Sequence, residues 1–345
     1  MQWDDSDIRY NVPMSTLTSM RVGGPASLFC EPASEEELID RVLGCESAGE
    51  SYFLLGNGTN VIVRDKGYSG VVISTLKALL GIEVKSGLSS QGSNPSFSGS
   101  DPPRSGGDLS SSGIVSSSSG SDLSNPETVI VCGAGESLTG VCRFAAKHGL
   151  SGMEALSGIP GTVGGAVFMN AGAYDREIAD LIISVRAFDV VDKKIIMLTN
   201  KDLEFSYRSS IFKSNTFNSN NFNARPMIIL SAELSLAPGD QEEIKAKMAD
   251  FNKKRNEKQP VDLPSAGSFF KRPEGYFAGK LIEESGMKGA CAGGARVSEK
   301  HAGFILNTGN ATAEDVLELA EKVKSKVYEK FGVKLEEEPI VIGDN

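Results

Sequence analysis

The chain has 345 residues, 40% of them hydrophobic and 23% charged, with a formal net charge of −10 at pH 7. This length predicts two or three domains with an ample core, and the acidic balance argues against a nucleic-acid partner. No apolar run approaches the roughly 20 residues of a membrane span, so we expect no membrane association. The N-terminus has neither a basic start nor an apolar signal core, and we expect a cytoplasmic protein.

The cysteines and histidines limit metal and redox chemistry. Five cysteines lie far apart with no C-x-x-C pair, which is typical of reduced thiols in the cytosol. Only His148 and His301 could join them as nitrogen ligands. We therefore predict no metal site.

The first part of the chain predicts a helix and several short strands. Ser34 followed by Glu37 forms a capping box for an early helix. Residues 52–55 are typical of a buried strand followed by a turn over 56–60, and residues 61–63 and 70–73 predict further strands. A strand over 129–133 then leads to a helix over about 138–148.

A change of composition separates two of these strands. Residues 86–126 are dominated by serine and glycine, and we expect this insertion to be disordered because it cannot bury enough apolar surface. The flanking strands, 82–84 and 129–131, are predicted to pair as a hairpin with an enlarged tip, although a regulatory or partner-binding segment is an alternative reading of the insertion. A smaller insertion over 214–223 predicts a surface loop.

The last third of the chain predicts mixed helices and strands. Residues 242–256 have helical spacing, and Thr312 with Asp315 caps a helix that ends at Gly332. The overall pattern favours an α+β fold.

The most distinctive segment is the stretch 157–174, with five glycines and no charged side chain. This composition disfavours a helix or a packed strand and suits a backbone that approaches a ligand closely, although an irregular core segment is the alternative. The loops at 56–58 and 133–135 do not complete a dinucleotide fingerprint, because Val61 and Leu138 occupy the place of the third glycine. A Rossmann domain is therefore not expected.

Six motifs then occur in the order seen in one enzyme family. They are Met20-Arg21-Val22-Gly23-Gly24, Gly56-Asn57-Gly58-Thr59-Asn60, the segment 157–174, Phe205-Ser206-Tyr207-Arg208-Ser209-Ser210, Ala266-Gly267-Ser268-Phe269-Phe270-Lys271 and Val297-Ser298-Glu299-Lys300-His301-Ala302-Gly303-Phe304. From about Thr16 to Gly343, the chain resembles the UDP-N-acetylenolpyruvoylglucosamine reductase family, which makes UDP-N-acetylmuramate for bacterial cell walls.

The resemblance implies a two-subdomain FAD-binding fold of the vanillyl-alcohol-oxidase type plus a C-terminal α+β substrate-binding domain. The expected boundaries are 1–76 and 77–254 for the FAD-binding subdomains and 255–345 for the substrate-binding domain. It also implies non-covalent FAD, NADPH as hydride donor and UDP-N-acetylglucosamine enolpyruvate as substrate. The implied cofactor-binding residues are Gly56, Asn57, Gly58, Thr59, Asn60, Gly161, Gly164 and Ala171.

Three catalytic residues carry over from the family. Arg208 is suited to gripping the substrate carboxylate, Ser268 would protonate the α-carbon, and Glu338 is the third member. Without the resemblance, these would read as a surface ion pair, a buried turn residue and an acidic strand entry. Alignment of flanking residues favours Glu338 over Glu336 and Glu337, although Pro339 and Ile340 replace the valine and arginine common in the family.

The resemblance also bears on substrate binding. Lys258 and Lys280 are candidate diphosphate contacts, because point cations suit phosphate oxygens, and Tyr207 is a candidate to flank the flavin or substrate. The role of Arg296 stays open. Residues 209–226 contain no tyrosine, which indicates the subgroup lacking an inserted tyrosine loop. We also expect the protein to be a monomer.

Two other functions compete with the reductase. One is an FAD-linked oxidase of the same fold superfamily, in which the flavin is often attached covalently. The other is a non-catalytic module that binds flavin or a nucleotide sugar, whose flavin NADPH could not reduce.

Overall fold

The N-terminal region contributes a four-stranded sheet. The computed structural model describes residues 8–85, 128–214 and 225–344, so the predicted disorder over 86–126 and nearly all of the loop predicted over 214–223 lie outside the described residues. The first elements are β1 (Ile8–Pro13), β2 (Pro25–Cys30), α1 (Glu35–Ala48), β3 (Tyr52–Leu55), β4 (Val61–Val63) and β5 (Tyr68–Ser74). The sheet has the order β1-β2-β5-β3, and the strands predicted at 52–55, 61–63 and 70–73 are confirmed.

Helix α1 begins at the predicted cap. The Ser34 hydroxyl accepts a hydrogen bond from the Glu37 amide at 3.2 Å, while the Glu37 carboxylate accepts from the Ala33 amide at 2.8 Å. In a capping box, the amide that donates to Glu37 would be that of Ser34 itself. Here it is the amide of the preceding residue, Ala33. Leu38 and Val42 are fully buried and fix this helix to the core.

The central region is built on a six-stranded antiparallel sheet. Its elements are β6 (Ile82–Lys85), β7 (Thr128–Gly133), α2 (Leu138–Lys147), β8 (Leu150–Ser151), α3 (Val163–Met169), β9 (Gly172–Ala173), β10 (Arg176–Glu177), β11 (Ile182–Asp189), β12 (Lys194–Thr199), α4 (Ile211–Ser214) and β13 (Met227–Pro238). Strands run in the order β12-β11-β13-β7-β6, with β8 paired to β13. The predicted hairpin is confirmed, because β6 pairs antiparallel with β7 from Ile82 opposite Cys132 to Lys85 opposite Val129.

The glycine-rich segment corrects one expectation. We expected irregular backbone over 157–174, and the structure instead places the seven-residue helix α3 within it. The Thr162 hydroxyl accepts from the Gly165 amide at the helix start, and Asn170 ends the helix in a left-handed conformation. Each glycine costs about 1 kcal/mol of helix propensity, and burial of Val163 and Val167 at 0% exposure offsets that cost.

The C-terminal region returns to the first. Its elements are α5 (Gln241–Lys258), α6 (Ala278–Glu284), β14 (Cys291–Ala292), β15 (Ala295–Val297), β16 (Ile305–Asn307), α7 (Ala313–Phe331) and β17 (Ile340–Ile342). The predicted cap of α7 is confirmed, with Thr312 and Asp315 bonded reciprocally and Gly332 left-handed at the end. Strand β17 pairs in parallel with β4, which brings the C-terminus beside the first glycine loop.

The hydrophobic cores do not follow the predicted boundaries strictly. Met20, Val22 and Ile62 from the N-terminal region pack in one buried cluster with Phe269 and Val316 of the C-terminal region. The three-domain division therefore stays a prediction. Among the helices within 8–85, 128–214 and 225–344, none is both long and apolar enough to cross a membrane.

Candidate active site

One large cavity lies where the three regions meet. Its volume is about 1710 Å³, which exceeds the roughly 300–1,000 Å³ that a drug-sized ligand occupies. Its wall takes residues from the turn after β3, from the segment 158–174 and from the connection between α5 and α6. A cavity of this size has room for an extended cofactor and a second ligand together.

Two glycine loops form one side of this cavity. Thr59 Oγ1 donates to the Pro160 carbonyl at 3.3 Å, so the loops at 56–60 and 157–162 touch directly. At Gly58, φ is +61° and an added Cβ would lie 2.1 Å from the Leu17 carbonyl oxygen; at Gly161, φ is +134°. A side chain at Gly58 would clash with that oxygen, and the backbone conformation at Gly161 strongly favours glycine. All eight predicted cofactor-binding residues line the cavity: Gly56, Asn57, Gly58, Thr59, Asn60, Gly161, Gly164 and Ala171.

The residues present fit a polar cofactor. Thr18 is 6% exposed and lines the cavity, yet its hydroxyl has no hydrogen-bond partner in the part of the chain that the structure describes. The same holds for the Gln259 side-chain oxygen. Leaving such a buried atom unpaired costs about 1–3 kcal/mol, and a ligand supplying polar partners removes that cost. Glycine backbone with these unpaired groups suits a dinucleotide such as FAD.

Arg208 is held at the wall by a network of acceptors. Its Nε lies 3.1 Å from Glu338 Oε1, and its terminal nitrogens donate to the carbonyls of Asn170 and Gly172 at 3.4 and 3.2 Å. Glu177 lies 3.9 Å away as a second carboxylate. The side chain of Arg208 is 19% exposed, so the surface ion pair considered as its alternative role does not describe it. The guanidinium is oriented before any ligand arrives.

Glu338 is the one of the three candidate glutamates that lines the cavity. Its carboxyl is 17% exposed, whereas Glu336 pairs with Lys271 at the surface and Glu337 pairs with Lys324. Burial raises the pKa of Glu338 above its ordinary value, and the attraction of Arg208 opposes this only in part. The Glu338 carboxyl therefore takes up a proton at a higher pH than a surface glutamate does.

The backbone around Glu338 is fixed by the first glycine loop. The Glu338 amide donates to the Phe269 carbonyl at 2.9 Å, and the Asn60 side-chain amide donates to the Glu338 carbonyl at 3.3 Å. Asn60, predicted as a cofactor contact, thus also joins the glycine loop to the C-terminal carboxylate. Ile340 lines the cavity two residues further on.

Ser268 lines the same cavity as Arg208 and Glu338. It is exposed, and its hydroxyl has no hydrogen bond to any other described residue. It lies beside Phe269, whose ring is fully buried and whose carbonyl accepts from Glu338. The buried turn residue considered as its alternative is therefore not observed, and the structure brings the three predicted catalytic residues to one cavity.

Of the three predicted substrate contacts, one lines the cavity and two do not. Lys258, at the end of α5, lines the cavity. Lys280 is exposed on α6, pairs with Glu284 at 3.7 Å and is absent from the described cavity wall. Tyr207 is 47% exposed and also lies off that wall, with its hydroxyl accepting from the Arg272 amide at 3.2 Å. Neither Lys280 nor Tyr207 therefore lines the described wall of the cavity.

Sequence reasoning missed several cavity residues. Arg255 lies one turn before Lys258 on α5. Burial lowers the pKa of its guanidinium, and no described carboxylate pairs with it. His301 accepts a hydrogen bond from the Gly303 amide at Nδ1, and burial lowers the pKa of its imidazole. The helical spacing of Arg255 and Lys258 was a usable signal, whereas the unpaired Thr18 hydroxyl was not.

Comparisons with known proteins agree with this site. A model described as an FAD binding domain matches residues 105–198, and a model of the C-terminal domain of UDP-N-acetylenolpyruvoylglucosamine reductase matches residues 259–342. Together with the α+β fold and the glycine-lined cavity, these matches define the protein as a flavin-dependent oxidoreductase. The expected FAD-binding α+β fold is thereby confirmed.

Individual relatives extend over nearly the whole chain. The UDP-N-acetylenolpyruvoylglucosamine reductase of Caldanaerobacter subterraneus subsp. tengcongensis is 42% identical over 97% of this chain and 93% of its own, and that of Clostridium novyi is 40% identical over 99% and 94%. The crystal structure of the Thermus caldophilus enzyme matches with a TM-score of 0.68 and 31% identity, over 97% of this chain and 99% of that one. The chain belongs to the UDP-N-acetylenolpyruvoylglucosamine reductase family.

Proposed function

We propose that this protein reduces UDP-N-acetylglucosamine enolpyruvate to UDP-N-acetylmuramate, with NADPH as hydride donor and FAD bound without a covalent link. Family membership supports the reaction. The observation that carries the proposal is the buried pair of Arg208 and Glu338, which faces the cavity that also holds Ser268. Bound FAD supplies the transfer of hydride from the nicotinamide to the substrate.

The cofactor would be held by the two glycine loops. The backbone at 56–60 and at Gly161 and Gly164 lies open to the cavity, and the Thr18 hydroxyl offers an unpaired polar group beside it. Gln259 offers a second, at the start of the C-terminal region. Backbone amides, the Thr18 hydroxyl and the Gln259 side-chain amide would hold the cofactor by hydrogen bonds, which supports binding without a covalent link.

Arg208 and Glu338 stabilise the negative charge that develops during the reaction. Hydride delivery to the terminal carbon of an enol ether builds charge at the α-carbon, and this charge spreads into the neighbouring carboxylate. The guanidinium binds that carboxylate and stabilises the growing charge more strongly than the ground state. The burial that raises the pKa of Glu338 favours its protonated form relative to a surface glutamate. A protonated carboxyl can donate a hydrogen bond to the same anionic group.

Ser268 completes the reduction by protonating the α-carbon. An ordinary serine hydroxyl is a weak acid, but the enolate opposite it is a strong base, so transfer needs alignment rather than a large pKa change. The hydroxyl of Ser268 has no competing acceptor among the described residues, which leaves it available to the ligand.

The diphosphate of the substrate would meet the cations at the end of α5. Arg255 and Lys258 line the cavity one helical turn apart, and neither has a carboxylate partner in the described chain. A half-buried guanidinium without a counter-ion favours an anionic ligand. This replaces Lys280 as the second cation of the predicted contact.

The setting of the enzyme belongs to the same proposal. We infer a monomer that works in the cytoplasm without a nucleic-acid partner. The acidic net charge of −10 supports the last point. The reduced thiols expected for five separated cysteines support the cytoplasmic setting.

Anaerobic mixing tests the function directly. Purified protein is first mixed with NADPH and then with UDP-N-acetylglucosamine enolpyruvate while the visible flavin absorbance is followed. The proposal predicts that the band bleaches in the first step and returns in the second, with UDP-N-acetylmuramate as product. A band that NADPH bleaches and only oxygen restores would point to an oxidase instead, and a band that NADPH leaves intact would point to a binding module.

A further inference from the structure

The turn that carries Arg208 has a strained backbone. Ser206 and Ser209 exchange two backbone hydrogen bonds, each 3.1 Å long, so Tyr207 and Arg208 form the tip of a tight turn. At Arg208, φ is +57°, in the left-handed region. Turns that need positive φ at this position ordinarily carry glycine or asparagine, and another residue there costs of order 1–3 kcal/mol. An arginine persists in this conformation only where its surroundings hold it.

Lys213 provides that hold. Its Nζ donates to the Arg208 carbonyl oxygen at 3.1 Å, which fixes the peptide on the C-terminal side of the strained residue. Lys213 belongs to α4, which is anchored in turn because the buried Ser210 hydroxyl donates to the Phe168 carbonyl at 2.9 Å. The Lys213 ammonium therefore connects Arg208 to α4, and the Ser210 hydroxyl connects the start of α4 to α3.

The surroundings of Lys213 argue against a purely stabilising role. It is half-buried and forms no ion pair within 4 Å among the described residues, while Lys271 and Arg208 lie close enough to repel it. Burial and this repulsion lower the pKa of Lys213, and only Glu338 acts in the opposite direction. A cation kept under these conditions costs free energy of folding, which is typical of a functional position.

We propose that Lys213 is a positioning residue: it holds Arg208 in its left-handed conformation and so aims the guanidinium at the carboxylate of the substrate. This inference rests on the proposed function, because it assigns Arg208 to that carboxylate. Without the hydrogen bond, the peptide of Arg208 can relax to negative φ. The guanidinium would then leave the carbonyls of Asn170 and Gly172 and the carboxylate of Glu338.

The test compares Lys213→Met with wild type in three measurements. They are the substrate Kd from the shift of the oxidised flavin spectrum, the rates of the two half-reactions and the melting temperature. We expect a higher Kd and a fall of roughly 10–100-fold in flavin reoxidation by the enolpyruvyl substrate, because displacement of about 1 Å costs rates of this order. Reduction by NADPH and the melting temperature should change little, and Lys213→Arg should recover part of the loss.

Lys271→Met is the matched control. It removes one positive charge that acts on both Lys213 and Glu338, but Lys271 bonds to Glu336 and has no hydrogen bond to the turn. It should therefore cost less than threefold. If Lys213→Met does not fold, Lys213→Gln takes its place, because it drops the charge and shortens the donor arm.

Three results would overturn the inference. They are unchanged Kd and reoxidation in a folded Lys213 variant, equal slowing of both half-reactions, and an equal loss in Lys271→Met. Failure of the proposed function is a separate outcome, because wild-type protein itself would then show no reoxidation by the enolpyruvyl substrate.

Discussion

Arg208 and Glu338 are 130 residues apart in the chain, yet Arg208 Nε lies 3.1 Å from Glu338 Oε1. Both side chains are at least four-fifths buried, and burying a charged pair returns little net stability because desolvation offsets the attraction. The pair is therefore better explained by ligand binding than by a contribution to stability. An entering carboxylate competes with Glu338 for the guanidinium, and the raised pKa of Glu338 eases that competition, because the carboxyl can take a proton.

Replacing Arg208 by lysine should separate positive charge from geometry. Arg208→Lys keeps the charge but loses the planar group that bonds Glu338, Asn170 and Gly172 at once. We expect kcat/KM for the enolpyruvyl substrate to fall by roughly 10²–10³-fold, as when one charge-stabilising donor is removed. Arg9→Lys, at an exposed pair with Glu31, is the control and should leave kcat/KM unchanged. Wild-type kcat/KM in Arg208→Lys would contradict the assignment.

Removing the hydroxyl of Ser268 should affect one half-reaction only. Ser268→Ala should leave flavin reduction by NADPH near normal and slow reoxidation by the enolpyruvyl substrate by about 10²–10⁴-fold, the usual contribution of a general acid. Stopped-flow absorbance measures both rates. Ser285→Ala is the matched control, because that hydroxyl bonds the Ile282 carbonyl at the end of α6, away from the cavity. Equal slowing of both steps in Ser268→Ala would count against proton transfer from this residue.

The stability of the protein should carry a signature of Glu338. Its pKa is raised in the folded state, so between the ordinary and the raised value the folded protein binds more protons than the unfolded chain. The contribution of this group to the free energy of unfolding therefore falls as pH rises through that window. Glu338→Gln should remove the fall, which denaturant titrations at several pH values would measure.

Glu336→Gln gives the control of opposite sign. The hydrogen bond from Lys271 lowers the pKa of Glu336, so its stabilising contribution is present above its ordinary pKa and is lost as pH falls through the lowered value. Its replacement should flatten the acid side of the curve. If Glu338→Gln changed the curve in that same direction, the raised pKa of Glu338 would be wrong.

The serine-rich insertion should be dispensable. Deleting residues 88–124, which lie outside the described residues, leaves five residues between Lys85 and Thr128. Because β6 and β7 pair in register up to Lys85 and Val129, a connection of this length suits the hairpin. Melting temperature and turnover should stay close to those of the full chain. A large loss of either would show that the insertion contributes to folding or catalysis.

Much of the fold could be predicted from local patterns. The caps at Ser34 and Thr312 and the hairpin between β6 and β7 follow from short-range chemistry, and each is observed. Helix α3 could not be predicted, because its glycines oppose helix formation locally and the burial of Val163 and Val167 that offsets their cost depends on tertiary packing.

The candidate site was partly predictable. The family resemblance selected Arg208, Ser268 and Glu338, which line one cavity. It could not tell that Lys280 turns to the surface, because helical position alone does not give the direction of a long side chain. The resemblance did not include Arg255, although its helical spacing from Lys258 was a usable signal. The Thr18 hydroxyl could not be found from the sequence, because its lack of a partner among the described residues is a property of the fold.

The central claim is that three side chains from distant parts of the chain act on one carboxylate and its α-carbon. A crystal structure of the FAD-loaded protein with UDP-N-acetylglucosamine enolpyruvate tests this most directly. It should show the substrate carboxylate within hydrogen-bond distance of the Arg208 guanidinium and the Glu338 carboxyl, and Ser268 Oγ facing the α-carbon. A carboxylate bound away from Arg208, with Ser268 remote from the α-carbon, would contradict the account.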